Sequence, residues 1–296
     1  MVSPERLNRS GLEAEVYLPT EPIATRPVVL VLSGSSGGLG HRDQAERLAL
    51  DGYPAVALAY FGYGSLPPKL ADIRLEYFQT AAREIRFHPI LSDRPIVVMG
   101  RSRGGELALQ LACSFDDFAG VIAVSPSSVR WGATGAAGPT WTLGGAPLPY
   151  MQSVPDLPPL ELQAEEHEGK RYHYAIDSFR QQLALSPYVE QAAIPIEQCH
   201  GPVLLLSGRD DRLWPSAQFA DRLEVRARDR GFRHALQNVQ YEGVGHVLPL
   251  PGHPPVLRNW SQAIDMGMAY GGTEDGARAI AEDYWSRVLG FLADMG

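Results

Sequence analysis

The chain has 296 residues, 45% of them hydrophobic and 20% charged, with a formal net charge of −8. That acidic balance, without any Lys/Arg-rich stripe, excludes a nucleic-acid partner, and no apolar run reaches the roughly 18 residues that a membrane span needs. Two cysteines, Cys113 and Cys199, are too few for a disulfide framework or a metal site, and the N-terminal stretch has no apolar signal-peptide core, so a soluble, cytoplasmic protein is expected, with Cys113 a buried thiol.

The segment LEAEVYLP (12–19) alternates with period two and predicts an exposed antiparallel strand. PVVLVLS (27–33) is a short, nearly continuous apolar run, as a strand covered on both faces requires. A helical pattern over 42–50 leads to a second such run, PAVALAY (54–60). A helix over 73–87, opening after Asp72 and stopping before Pro89, precedes the run PIVVMG (95–100). Next come a helix over 102–115 and the run AGVIAVS (119–125). The rhythm then breaks. From 126 to 201 there is no convincing core strand but an abundance of Gly, Pro, Trp and Tyr, and so long a connection predicts a cap over the C-terminal edge of the sheet. The pattern resumes with PVLLLSG (202–208), a helix over 217–230, ALQNVQY (235–241) as a strand nearer an edge, and a helix over 277–293 with Ile280, Tyr284, Val288 and Leu292 on one face. Strand–helix alternation predicts one α/β domain over 1–296, a mostly parallel doubly wound sheet with the cap region inserted at 126–201.

Two segments carry the pattern G-x-S-x-G. One is Gly100–Ser102–Gly104, the other Gly34–Ser36–Gly38. Only the first runs from a strand straight into a strong helix, with Leu107, Leu111 and Phe115 at four-residue spacing. Strand, sharp turn and helix is the setting of a nucleophile elbow, in which the turn lifts the hydroxyl clear of the sheet and the helix N-terminus favours developing negative charge. Ser102 is therefore the candidate nucleophile. The second copy follows an earlier strand, where a glycine-rich loop can turn its N–H groups toward a substrate oxygen. The expected oxyanion donors are the N–H of Arg103 and that of Ser35 or Ser36.

An elbow needs an acid and a base, in chain order after the serine. RDDRLWPS follows the strand at 202–208 and offers Asp210 and Asp211, of which the Gly208-x-x-Asp211 spacing favours Asp211. Among eight histidines, His246 in YEGVGH follows the last strand between small residues, with His253 its close competitor. His88, at a helix end, reads as a capping residue, and His41, His167, His173, His200 and His234 have no positional support. Tyr60, Phe61, Tyr63, Trp131, Trp141 and Tyr150 are candidates to line an apolar pocket, although each singly is as readily explained by packing. Arg101 and Arg103 are placed to face a phosphorylated leaving group, though an Arg103–Glu106 pair along the helix is the stronger reading for Arg103.

Several stretches together resemble one family. GSSGGL, AYFGYGSLPPKLADIRLEYFQTAAREIRFHP, GRSRGGELALQLA, SGRDDRLWPS, YEGVGHVLPLP and GGTEDGARAIAEDYWSRVLGFL are similar to the landmarks of the C-terminal catalytic domain shared by acyl-CoA thioesterases and bile acid-CoA:amino acid N-acyltransferases. The resemblance implies an α/β-hydrolase fold and the triad Ser102, Asp211 and His246, and it selects Asp211 over Asp210. It further implies cleavage of an acyl thioester, acyl-CoA or carrier-bound, through an acyl-serine, with no metal or organic cofactor. In that family, amino-acid-conjugating members have cysteine at the nucleophile position, and serine, found here, goes with hydrolysis. Acyl transfer or ester cleavage on the same residues is one alternative, and a noncatalytic ligand-binding protein on an inherited fold is another.

Overall fold

The computed structural model describes residues 3–21, 23, 25–155, 157–261 and 265–296. Its eight-stranded central sheet takes up the apolar runs. In chain order these strands and their helices are β1 (Glu5–Leu7), β2 (Glu13–Tyr17), β3 (Val28–Leu32), α1 (Arg42–Leu50) and β4 (Ala55–Ala59). A two-residue strand, β5 (Ile73–Arg74), stands apart before α2 (Glu76–Arg86), β6 (Ile96–Arg101), α3 (Arg103–Ser114) and β7 (Gly120–Val124). Spatial order in the sheet begins β1-β2-β4-β3-β6-β7, with β3, β4, β6 and β7 mutually parallel and β1 and β2 antiparallel. The chain goes from β3 outward to β4 and then returns to β6 on the other side of β3. The crevice beyond the C-terminal ends of β3 and β6 is thus a topological switch point, where open α/β sheets hold their ligands.

Each central strand is buried on both faces because helices cover both. Val28, Leu30 and Leu32 of β3 pack with Phe78 and Ile85 of α2 and Leu107 of α3, while Val29 and Val31 face Leu48 of α1 on the opposite side. Period-two alternation along β3 therefore divides it between two apolar layers. The strand expected at 12–19 is β2 and is antiparallel, but it is not exposed: β1 lies along its outer edge, and Ala14, Val16 and Tyr17 are buried. The helix expected from residue 73 starts at Glu76. Asp72 sits at φ 52 and caps nothing, and Ile73 instead joins a neighbouring strand.

Among the described residues, the segment 126–201 gives no strand to the central sheet, but it has short strands and helices of its own. It contains β8 (Trp141–Leu143), β9 (Ala146–Pro147), β10 (Ala164–His167), β11 (Lys170–His173), α4 (Ile176–Leu185) and α5 (Val189–Ala192). β5, β8 and β9 form one small sheet. After it come β12 (Val203–Gly208), α6 (Ser216–Asp229), β13 (Leu236–Tyr241), β14 (Arg258–Ser261), β15 (Met266–Ala269) and α7 (Glu274–Ala293). β12 and β13 complete the central sheet in parallel, β13 at the edge as expected. β10 and β11 are completed by β15 and β14, from near the C-terminus, so the covering layer draws on chain well beyond residue 201. Helix α7 starts at Glu274, three residues before the expected start at 277, because the Thr273 hydroxyl accepts the Gly276 N–H at 3.0 Å.

One expectation is corrected outright. Cys113 is not a free thiol but is joined to Cys199 by a disulfide, with both residues buried where the last turn of α3 meets the turn before β12. Their separation of 86 residues gives no local signal of that meeting. Among the described residues, no helix is long and apolar enough to cross a membrane.

Candidate active site

Ser102 stands between β6 and α3 at φ 59 and ψ −125, a left-handed conformation for a residue with a side chain. Its N–H donates to Val124 O on the neighbouring strand at 2.9 Å, and its carbonyl accepts the Glu106 N–H at 3.0 Å, so sheet and helix pin both sides of the strained turn. The glycines of the motif are required by contact. A Cβ on Gly100 would lie 2.2 Å from Gly104 O, and one on Gly104 would lie 2.5 Å from Ser33 O. Arg103, the first residue of α3, has an N–H with no carbonyl four residues behind it in the helix.

The loop after β3 passes directly beside this turn. A Cβ placed on Gly34 would sit 3.5 Å from Ser102 Cβ. Tyr60 holds the start of the loop by donating its hydroxyl to Ser33 O at 2.6 Å. Ser35 and Ser36 both line the cavity that Ser102 enters.

The acid and base meet across the loops that follow β12 and β13. His246 Nδ1 and Asp211 Oδ2 are 2.8 Å apart, and both residues are buried. The other Asp211 oxygen accepts the N–H groups of Leu213 at 2.9 Å and Trp214 at 3.2 Å, which fixes the carboxylate's orientation. Asp210 turns the other way and accepts the Gly243 N–H at 2.7 Å, shaping the loop that carries His246. The backbone of His246 is held by Tyr270 O, which accepts its N–H at 2.9 Å, and by the Ser125 hydroxyl, which donates to its carbonyl at 2.7 Å. Its ring packs between Trp214 and Tyr270, each with a centroid 5.7 Å away. His246, with its ring nitrogen against a buried carboxylate, and the half-buried Ser102 line one cavity. His253 lines this cavity too, but the contact with Asp211 belongs to His246. His88 accepts the Ile90 N–H just past the end of α2.

Two cavities flank Ser102. The first, about 370 Å³, is lined by Ser36, His41, Asp43, Arg101 and His246 among others. The second, about 480 Å³, is lined by Trp131, Met151, Phe179 and Trp214. Ser35, Ser102 and Leu213 line both. Of the aromatics expected in a pocket, Trp131 lines the second cavity. Tyr60, Phe61 and Trp141 lie in the buried core, Tyr63 packs half-buried against the α1–α7 layer, and Tyr150 lies half-buried against Gly132. Sequence reading missed Met151, Phe179, Leu213 and Trp214. Trp214 carried a usable signal, since it stands three residues after Asp211 in the same loop. It also missed His41, in the glycine-rich loop, whose pKa burial and the nearby Arg101 push down to about 3.

Arg103 is committed elsewhere. Its guanidinium pairs with Glu106 at 2.8 Å and donates to Trp131 O at 3.1 Å, to Gly132 O at 3.3 Å and to the Thr140 hydroxyl. The second Glu106 oxygen accepts from Trp141 Nε1 at 2.7 Å and from the Trp131 N–H at 3.2 Å. A buried, extensively hydrogen-bonded ion pair thus ties the first turn of α3 to the covering segment. Arg103 lines the second cavity, and its guanidinium pairs with Glu106 as expected from the helix spacing.

Residues 73–295 match the model of the family described as BAAT / Acyl-CoA thioester hydrolase C terminal. The chain belongs to that family. It is 29% identical to mouse (Mus musculus) acyl-coenzyme A amino acid N-acyltransferase 1 over 292 residues, covering 98% of this chain and 65% of that protein. It is 28% identical to mouse mitochondrial acyl-coenzyme A thioesterase 2, covering 95% of this chain and 58% of that protein. The chain thus spans less than two thirds of the length of these relatives. Among solved structures, an esterase/lipase from an uncultured bacterium superposes with a TM-score of 0.54 at 17% identity, covering 99% of this chain and 85% of that one. The fold of this family member is the α/β-hydrolase fold, and its elbow, its aspartate loop and its histidine loop lie at the C-terminal edge of the sheet.

Proposed function

We propose that the chain is an acyl thioester hydrolase of the acyl-CoA thioesterase kind, working through an acyl-serine on Ser102 with Asp211 and His246 as orienting acid and base. The observation that carries this reading is the buried Asp211–His246 contact at 2.8 Å, opening on the same cavity as a serine held at φ 59. His246 takes the Ser102 proton as Oγ attacks the thioester carbonyl. The N–H groups of Arg103 and of Ser35 or Ser36 receive the oxyanion. The carbon–sulfur bond breaks, and His246 returns the proton to the departing sulfur as the thiol leaves. Water, deprotonated by His246, then adds to the acyl-serine and releases the carboxylic acid and free Ser102. Side chains and water suffice for every step.

Serine supports water as acceptor over an amine, because an oxygen ester is less reactive toward amines than a thioester. The aromatic cavity bounded by Trp131, Met151, Phe179 and Trp214 suits the acyl chain. The test is a panel of acyl-CoA thioesters of varied chain length, with thiol release followed optically, alongside fluorophosphonate labelling of wild type and Ser102→Ala. Stoichiometric labelling that Ser102→Ala abolishes, with thiol release, is the expected result. Labelling without release from any thioester would point to ester chemistry, and absence of labelling to a noncatalytic binder.

A further inference from the structure

The start of α1 borders the first cavity: His41, the residue that opens the helix, and Gln44, three residues on, both line it. Both are more than nine-tenths buried, at 6% and 3% exposure. A polar side chain at this position ordinarily accepts an N–H of the helix it opens, but the His41 imidazole does not. Among the described residues the imidazole has no hydrogen bond, and Gln44 Oε1 has no partner either. Buried polar groups left unpaired are costly, and in a cavity wall they are completed by what the cavity holds.

Charge decides the class of ligand. Burial and the nearby Arg101 keep His41 neutral. Arg101 in turn feels the carboxylate of Asp43, which lines the same cavity. With one cation, one anion and two neutral groups, this wall has no surplus positive charge to offer an anion. A neutral imidazole offers one donor and one acceptor, and a primary amide offers two donors and an acceptor oxygen. Together they complement a secondary amide, with its single N–H and single C=O. Leu248, Leu250 and Val256 line the cavity as well and suit the methylenes on either side of such a group.

The position of His246 decides which part of a substrate enters. It lines the first cavity and not the second, and it must return its proton to the departing sulfur. The thiol therefore leaves through the first cavity while the acyl chain lies in the second. Arg101 adjoins Ser102 and is near enough for its charge to act on His41, so the imidazole meets the thiol's arm toward its sulfur end. A pantetheine arm carries its first secondary amide two carbons from the sulfur.

We propose that His41 and Gln44 form a neutral amide-recognition site for the arm of the leaving thiol. This rests on the acyl-serine reading of Ser102 and names the residues that read its leaving group. Selection among thioesters then depends on the arm as well as on the acyl chain.

The test holds the acyl group constant and varies the arm. The butyryl thioester of N-acetylcysteamine is compared with that of pentanethiol, in which methylenes replace the amide, using wild type, His41→Phe, Gln44→Leu and His41→Gln. Melting curves and fluorophosphonate labelling of Ser102 verify folding. The wild type should favour the amide arm in kcat/KM, and His41→Phe and Gln44→Leu should each cut that ratio by about tenfold. His41→Gln, which keeps a neutral hydrogen-bonding group, should restore part of it. Butyryl-CoA and butyryl-loaded acyl carrier protein, run in the same variants, show which carrier bears the arm, since the one used loses by the same factor. Equal turnover of the two arms by the wild type, a ratio indifferent to both His41→Phe and Gln44→Leu, or equal losses on both arms would each overturn the proposal while leaving the acyl-serine reading intact. If one variant fails to fold, the other decides by the same ratio. A Ser102 that does not label in the wild type would overturn both.

Discussion

The C-terminal edge of the central sheet and the layer that covers it are built on different terms. At the sheet edge, Ser102 and Asp211 stand just beyond strands buried on both faces and His246 follows the half-buried edge strand β13, and each is fixed by backbone bonds: Ser102 by Val124 O, Asp211 by the N–H groups of Leu213 and Trp214, His246 by Tyr270 O. The covering layer consists of strands of two to four residues and two helices gathered from distant parts of the chain, 73–74, 141–192 and 258–269, anchored to α3 through the Arg103–Glu106 pair. Under the proposed function, the reacting atoms ride on rigid elements and the surfaces that meet substrate on assembled, non-local ones, which separates catalytic geometry from recognition.

That division can be broken at its strongest point first. Ser102→Ala should lower turnover by several orders of magnitude with the fold retained by circular dichroism, whereas Ser36→Ala should be far milder, since only the backbone of that loop is asked to act. Equal losses would erase the difference between elbow and loop. Next, Asp211→Asn should cost on the order of 10⁴ in kcat, since an amide neither stabilises the imidazolium nor holds the required tautomer. Asp210→Asn, which touches only the Gly243 N–H, should lose far less; the reverse order in steady-state kinetics would reassign the acid.

The covering layer is probed by Glu106→Gln, which leaves the Arg103 guanidinium buried without its counter-charge. A destabilisation of about 3 kcal/mol is expected by urea unfolding, and a near-neutral result would show that the anchor does not hold. Acid sensitivity follows from His41. Its folded pKa of about 3 lies below the ordinary 6.5, so across that window the unfolded chain binds the proton and the folded chain does not. Stability contributed by this residue is present above pH 6.5 and declines as pH falls toward 3. His41→Asn should therefore shrink the loss of unfolding free energy between neutral and acidic pH, and an unchanged pH profile would refute it. The smallest effect is expected from Ser102→Gly, which removes the side chain from a left-handed position and should stabilise the inactive protein by about 1 kcal/mol.

The central sheet was legible because its strands are buried on both faces and so appear as unbroken apolar runs: 27–33, 54–60, 95–100, 119–125 and 202–208 each contain a strand displaced by at most a residue or two. Ser102 and Asp211, just beyond two of those runs, and His246, beyond the edge strand at 235–241, fall together at one sheet edge. What escaped was non-local. β10 and β11 are polar in sequence because one side faces solvent and their partners, β14 and β15, come from the far end of the chain. The aromatics Tyr60, Phe61 and Trp141 show the same limit, since large side chains near a site carry no mark saying whether they line a cavity or fill the core. Cys113 and Cys199 could not be paired from spacing, because the proximity of α3 to the turn before β12 is a property of the finished packing.

β7 and β12 are immediate neighbours in the sheet, with Val121 paired to Val203 and Val124 to Leu206. Parallel neighbours must be joined by a crossover of a dozen or so residues at the least. The chain between them is therefore not an ornament added to a finished sheet: it is the obligatory crossover, enlarged until it reaches over the site. For a flexible connection, closure entropy grows only logarithmically, by about 0.6 kcal/mol per doubling of length. Lengthening, shortening or rewriting that crossover is thus thermodynamically inexpensive for the sheet it serves, and one catalytic edge can be fitted with covers of very different size.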